Sequence, residues 1–284
     1  MKGVQHGFGS IRGHPVGALV VDGLLEDFVV DIDAPRPGAI YRAKAIRPAK
    51  GQGGMFLETP DGTAIMRNAK GIATGKHLLE QFTGYAERGK AIPVTDRLLF
   101  KSRYCIVTPG KPGINIARSI KDEEARVALR EAVDVFAGDL RGCGIIIRSA
   151  AVDATAEAVQ GDVESCLDTA FVVLGDTDAA TEKLIEGPDV REMAYREWPE
   201  GVTGGDIEAC FDEAMRPEHP LPGGGRMIVE ATCALVAVDV DTGGDTSPAA
   251  GLKANIAAAR NLPRLLRIKG LGGQVVVDFA PMPK

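Results

Sequence analysis

Short alternating runs dominate the first part of this chain, helical spacing takes over in the middle, and valine-rich runs close it. Val16-Gly-Ala-Leu-Val-Val-Asp22-Gly23 reads as a strand entering an Asp-Gly turn, with Leu25 to Ile32 returning as its hairpin partner. Pro35-Arg-Pro37-Gly38 marks a boundary. Short strands follow at Ile40 to Ile46, Gly54 to Glu58, Thr63 to Met66 and Leu78 to Tyr85, separated by glycine-rich turns. About five short strands in so small a space predict a barrel of the OB type, an architecture that binds single-stranded nucleic acid. Lys121 to Leu140 predicts a helix, with acids at its start and apolar residues at Val127, Leu129, Ala132, Val133 and Phe136. Cys143-Gly-Ile-Ile-Ile-Arg148-Ser149 predicts a buried strand ending in a cation and a hydroxyl, a pair suited to holding a phosphate or simply to ending a strand at the surface. Ala154 to Leu167 predicts another helix, and Asp206 the cap of a short one running through Met215.

The last third carries the strongest signal. Met227-Ile-Val-Glu-Ala-Thr-Cys-Ala-Leu-Val-Ala-Val-Asp239-Val-Asp241-Thr-Gly-Gly is followed, after a helix-length interval, by Gly272-Gly-Gln-Val-Val-Val-Asp278-Phe279. Valine-rich runs bounded by glycine suit strands of a parallel sheet, and Ser247 to Lys269 is long enough for a crossover helix. A βαβ unit brings the carboxyl ends of both strands to one edge, so Asp239 and Asp278 would lie close together. Asp241, two residues beyond Asp239, points to the same side. Converging carboxylates repel one another unless a cation compensates. Magnesium takes oxygen ligands, often one or two carboxylates completed by phosphate and water, and activates water against a phosphodiester. The competing reading is a strand that ends in a turn, because Asp-Thr-Gly-Gly is good turn sequence.

Composition narrows the class. The chain has 284 residues, 45% of them hydrophobic, and no apolar run approaches the length that crosses a membrane. Met1 to His14 lacks the apolar core of a secretory signal, and five scattered cysteines suit a reducing cytoplasm. The net charge of −6 hides an asymmetry: residues 36–121 hold 16 Lys/Arg against 5 Asp/Glu, a balance of +11. A basic module on an acidic body is where phosphate binds. Phe56 and Met66 are expected on neighbouring barrel strands with Arg42, Lys44, Lys50 and Lys90 around them. Phe56 then stacks on a base or fills the barrel core.

These elements in this order resemble the ribonuclease E/G family of endoribonucleases. The tail carries the likeness: Leu221-Pro-Gly-Gly-Gly, Ala234-Leu-Val-Ala-Val-Asp-Val-Asp-Thr-Gly, Asn255 and Gly270-Leu-Gly-Gly-Gln-Val-Val-Val-Asp-Phe279. Looser matches are Ile40-Tyr-Arg-Ala-Lys, Gly53-Gly-Met-Phe, Gly113-Ile-Asn-Ile-Ala-Arg118 and Gly144-Ile-Ile-Ile-Arg148-Ser149. The resemblance implies an α/β and β multidomain chain, with an S1-like OB barrel inserted in a ribonuclease-H-like/DNase-I-like α/β body. Its parts fall on residues 1–36 with 186–220 (a reduced ribonuclease-H-like part), 37–96 (S1-like barrel), 97–185 (5′-sensor-like region) and 221–284 (DNase-I-like catalytic part).

The implied activity is magnesium-dependent endonucleolytic cleavage of single-stranded RNA in the cytoplasm, stimulated by a 5′-monophosphate. Asp239 and Asp278 would hold the metal. Asp241 would be the third active-site residue, standing where the family commonly has asparagine. Phe56, Met66, Lys44 and Lys90 would contact RNA, and Arg148 with Ser149 the 5′ phosphate. The chain stops six residues after Asp278, where the family continues, and it lacks the cysteine pair through which some members share zinc and dimerise. A short form is therefore expected, with homo-oligomerisation left open. A non-catalytic RNA-binding protein derived from the family is the alternative. Pro263 inside the crossover helix is expected to kink it.

Overall fold

The computed structural model describes residues 2–49, 51, 53–69, 71–86 and 89–282. Residues 1–32 and 198–284 form one compact unit, and residues 33–197, inserted between them in sequence, form the other. Lys50, expected near the barrel's basic residues, lies outside the described residues.

The first unit opens with a meander of β1 (Val4–Ile11), β2 (His14–Val21) and β3 (Leu24–Val30). Asp22 and Gly23 both have positive φ, 53° and 84°, which is the turn an Asp-Gly pair makes between twisted antiparallel strands.

The second unit begins with β4 (Ile40–Ala49), β5 (Gly54–Thr59), β6 (Gly62–Met66), β7 (His77–Phe82) and β8 (Ile92–Thr95). They pair in the order β4-β5-β6-β8-β7, and β7 returns to β4, closing a five-stranded OB-like barrel. Tyr41, Leu57, Met66 and Phe82 fill its core, with Tyr41 and Phe82 stacked at 4.3 Å between ring centroids. The same unit continues with β9 (Phe100–Lys101), β10 (Cys105–Pro109), β11 (Gly113–Ile116), α1 (Glu123–Val133) and β12 (Cys143–Ile147). After these come α2 (Ala156–Leu174), β13 (Glu182–Ile185) and α3 (Val190–Glu197). Strands β11-β12-β10-β9 make a second sheet, whose Val107, Ile145 and Ile147 pack with Val159, Val163 and Ala170 of α2. The α1 helix is shorter than its apolar spacing predicts, because a 3-10 turn takes over at Asp134. The α2 helix runs past its predicted end at Leu167 to Leu174.

The chain then returns to the first unit with β14 (Val202–Thr203), α4 (Ile207–Met215), β15 (Glu218–Pro220), β16 (Arg226–Ala231), β17 (Val236–Asp241), α5 (Ala250–Ile268) and β18 (Val275–Asp278). Strand β14 joins the meander parallel to β1. Asp206 caps α4, its carboxylate accepting from the Glu208 and Ala209 N–H groups. Strands β15-β16-β17-β18 form a sheet in which β17 and β18 are parallel and α5 is the crossover between them. Met227, Val229, Val236, Val238 and Val240 share a core with Ala254, Ala258, Leu265 and Ile268 of α5, and with Ala18, Leu25, Cys210 and Ala214. Residues 1–32 thus contribute to one core with residues 221–284. The α5 helix runs unbroken through Pro263. Among the described residues no helix is long and apolar enough to cross a membrane.

Candidate functional site

The strand-end aspartates meet in register. Parallel pairing of β17 with β18 sets Asp239 directly beside Asp278, on strands about 4.8 Å apart. Side chains alternate across a strand. Because Val236, Val238 and Val240 enter the core, Asp239 and Asp241 face outward, and Asp239 and Asp278 are both exposed. Asn255 fixes the chain just after Asp278: its amide donates to the Ala280 carbonyl and accepts from the Ala280 N–H, each at 2.9 Å. Asn255 is buried in mid-helix, where a polar side chain needs hydrogen-bond partners, and the Ala280 backbone supplies them.

Among the described residues no hydrogen bond or ion pair engages the carboxylate of Asp239 or Asp278. Asp241 differs. Its Oδ1 accepts from the Gly243 N–H at 2.6 Å and its Oδ2 from Arg226 Nη2 at 3.1 Å. The Gly243 hydrogen bond and the Arg226 charge outweigh partial desolvation and hold its carboxyl below the usual range. No group of three or more His, Cys, Asp or Glu side chains is arranged as a metal cluster among the described residues. Two adjacent, unengaged carboxylates still fit magnesium, which keeps several waters and takes one or two carboxylates. Beside Asp241 opens a cavity of about 750 Å³, with Arg216, Glu218, Arg226 and Gly243 in its wall. Neither Arg226 nor Arg216 was singled out from the sequence, since only the β16–β17 register shows which residue opposes Asp241.

The remaining candidates belong to the second unit. Phe56 is half-buried on β5, opposite Arg47 of β4, whose guanidinium carbon lies 4.1 Å from the ring centroid. One face of the ring therefore already carries a cation. Met66 requires a correction. It is 2% exposed within the barrel core beside Met55, so its side chain has no surface to offer a base. Lys44 is exposed opposite Glu58, and Lys90 is exposed in the β7–β8 connection. Arg42 is buried and bound to Asp176 and Glu182, so part of the basic excess is structural.

Arg148 follows β12 and Ser149 stands exposed at the start of a 3-10 turn. The Arg148 fork is engaged within the protein. Nη1 donates to the Ser102 and Arg196 carbonyls, and Nη2 meets Glu197 Oε2 at 2.6 Å. Lys101 and Arg196 reach the other Glu197 oxygen at 2.7 and 2.8 Å. Burial pushes the Glu197 carboxyl up, but the Lys101 hydrogen bond and the surrounding charges prevail and hold it below its usual value. Three cations around one carboxylate make a site fit for an anion. Here Glu197 supplies it.

The comparisons with known proteins agree with the tail motif. The chain is similar to Ribonuclease E of Synechocystis sp., 23% identical over 337 residues that take in 95% of this chain and 49% of the relative. It is similar to Ribonuclease E of Haemophilus influenzae, 25% identical over 311 residues, 92% of this chain and 32% of the relative. Ribonuclease G of Escherichia coli is 23% identical over 347 residues, 93% of this chain and 68% of the relative. The chain thus spans half or less of the length of these two ribonuclease E relatives. A family model covers residues 100–200 and 193–284, taking in Arg148 and both strand-end aspartates, and so this chain belongs to the ribonuclease E/G family.

Proposed function

We propose that the chain is a magnesium-dependent endoribonuclease that cleaves single-stranded RNA. The observation that carries this reading is the pair Asp239 and Asp278, side by side in parallel register and unengaged by other described side chains, in a member of the ribonuclease E/G family. These two carboxylates would hold the ion. When bound, magnesium supplies an activated water and neutralises charge developing on the phosphodiester. The register of β17 and β18 keeps the two carboxylates adjacent, and the Asn255 clasp on Ala280 keeps the end of β18 from fraying. We read the closed barrel as the S1-like RNA grip, with Phe56 as a stacking surface and Arg47, Lys44 and Lys90 as phosphate-facing cations. Arg148 and Ser149 are read as the site for a 5′ phosphate, which would compete with Glu197 for the guanidinium. The unit of residues 1–32 with 198–284 is read as the reduced ribonuclease-H-like and DNase-I-like body.

The test is incubation of the purified protein with 5′-monophosphorylated, U-rich RNA, with and without magnesium. Internal cleavage only with magnesium is expected, and intact RNA in both arms would sink the reading. The second reading, a non-catalytic RNA-binding protein, is favoured by the engagement of Asp241, which leaves two free carboxylates where the resemblance implies three active-site residues. Tight binding of the same RNA without cleavage would establish it.

A further inference from the structure

Asp241 carries a charge where the resemblance implies asparagine, and a partner answers that charge. In the antiparallel register of β16 and β17, Arg226 stands directly opposite Asp241. Opposed residues of such a pair share one face of the sheet. Arg226 Nη2 lies 3.1 Å from Asp241 Oδ2, and the Gly243 N–H takes Oδ1. Gly243 has φ of 62°, and a Cβ there would sit 2.1 Å from the Gly224 carbonyl oxygen. The turn that presents this N–H is therefore packed against backbone and admits only glycine. Both oxygens of Asp241 are tied down, whereas those of Asp239 and Asp278 are not. The other carboxylate near the guanidinium, Glu218, is 3.8 Å away and too far for a hydrogen bond.

We infer that Arg226 sets the charge of the candidate metal site by holding the Asp241 carboxylate away from the cation. The inference rests on the metal-site reading above and adds a residue to it. Arg226 is a positioning residue acting through Asp241. A third carboxylate on the ion would tighten binding and take a coordination position that phosphate or water needs. With Arg226 removed, Oδ2 loses its partner and turns to the nearest cation. The half-exposed guanidinium can be removed without opening a cavity in the core.

The experiment counts bound Mn²⁺ by electron paramagnetic resonance on the full chain, without RNA. Asp239→Asn should weaken binding by the parent site. Arg226→Ala should tighten it on the order of tenfold, the effect of one more carboxylate near a divalent ion in water. Arg226→Gln, which keeps the aliphatic stem, should do the same, and Arg226→Lys, which keeps the charge, should stay near the parent. In the Asp241→Asn background, Arg226→Ala should change affinity by less than about twofold, because coupled residues are not additive. No gain from Arg226→Ala, or an equal gain in both backgrounds, would overturn the inference and leave Arg226 a bystander cation. A parent that binds no Mn²⁺, or binds it indifferently to Asp239→Asn, would overturn the metal-site reading and this inference with it. Asp239-dependent binding that ignores Arg226 would overturn this inference alone.

Discussion

Arg148 and Glu197, 49 residues apart in sequence, meet at 2.6 Å in a half-buried ion pair. An arginine so engaged reaches a phosphate only by exchanging one anion for another. A terminal monophosphate carries more charge than a carboxylate and offers more acceptor oxygens, so the exchange favours it over a 5′-hydroxyl. RNA with a 5′-monophosphate should therefore be cleaved faster than the same RNA with a 5′-hydroxyl. Arg148→Ala should erase the difference, and Glu197→Gln, which removes the competing charge, should widen it. A charge-assisted hydrogen bond is worth about 1.5–3 kcal/mol, or roughly 10- to 100-fold in rate or affinity. Equal rates on both substrates in the parent would make the Arg148–Glu197 pair purely structural.

The carboxylate pair makes a sharper demand. Asp239→Asn and Asp278→Asn remove charge with almost no change in volume, and both side chains are exposed, so the fold should survive. Cleavage in saturating magnesium should fall by at least about a hundredfold in either variant, since losing one catalytic electrostatic group costs that much. RNA binding should stay near the parent value. Parent-like cleavage by either variant would remove that aspartate from the site. Asp241→Asn should be milder, because both Asp241 oxygens are already bound to Arg226 and Gly243.

What the sequence made legible was local or periodic. The Val-Asp runs, the crossover between them, the Asp22-Gly23 turn and the Asp206 cap each follow from neighbouring residues, and each is where it was expected. The α3 helix was missed because Val190–Glu197 is short and mostly polar. Met66 was misplaced because Gly54-Met-Phe-Leu-Glu and Thr63-Ala-Ile-Met are apolar on both faces. Only barrel closure decides that Met55, Leu57 and Met66 point inward and Phe56 does not. Pairs such as Arg226 with Asp241 and Arg148 with Glu197 depend on strand register and on tertiary packing, to which periodicity is blind. Pro263 does not end the helix, because a helix buried along one face keeps its hydrogen-bonded run when a single donor is lost.

The barrel can be tested through Phe56. If the ring stacks on a base, Phe56→Ala should weaken single-stranded RNA binding by about 1–3 kcal/mol. The log–log salt dependence should stay unchanged, because no phosphate contact is lost. Arg47→Ala should also weaken binding, and should lower the salt slope by about 0.7 if Arg47 neutralises one phosphate. Fluorescence anisotropy across a salt series reads both quantities. A Phe56→Ala variant that unfolds, or that binds as the parent does, would assign the ring to the barrel wall.

Glu80 makes the barrel's stability depend on pH. It is fully buried on β7, its register partner on the adjoining strand β4 is Tyr41, and neither of its carboxylate oxygens has a hydrogen-bond partner among the described residues. Tyr41 gives its hydroxyl to Asp61, and Lys183 pairs with Asp61 and Glu186, so neither relieves Glu80. Burial pushes the Glu80 carboxyl up from 4.5 to about 8. In the folded chain the group stays protonated through neutral pH, while in the unfolded chain it ionises near 4.5. The folded state therefore binds the extra proton between these values, and stability falls as pH rises from about 4.5 to about 8, then levels off. The full cost of ionisation is roughly 3–5 kcal/mol for so buried a group. Glu80→Leu replaces an unpaired carboxyl with an apolar side chain of similar size. It should flatten that decline and stabilise the protein at pH 8 by roughly 3–5 kcal/mol, the ionisation cost that it removes. Urea denaturation of parent and variant at pH 5.5 and 8.5 provides the comparison. A variant whose stability falls with pH as steeply as the parent's would show that Glu80 does not carry the decline.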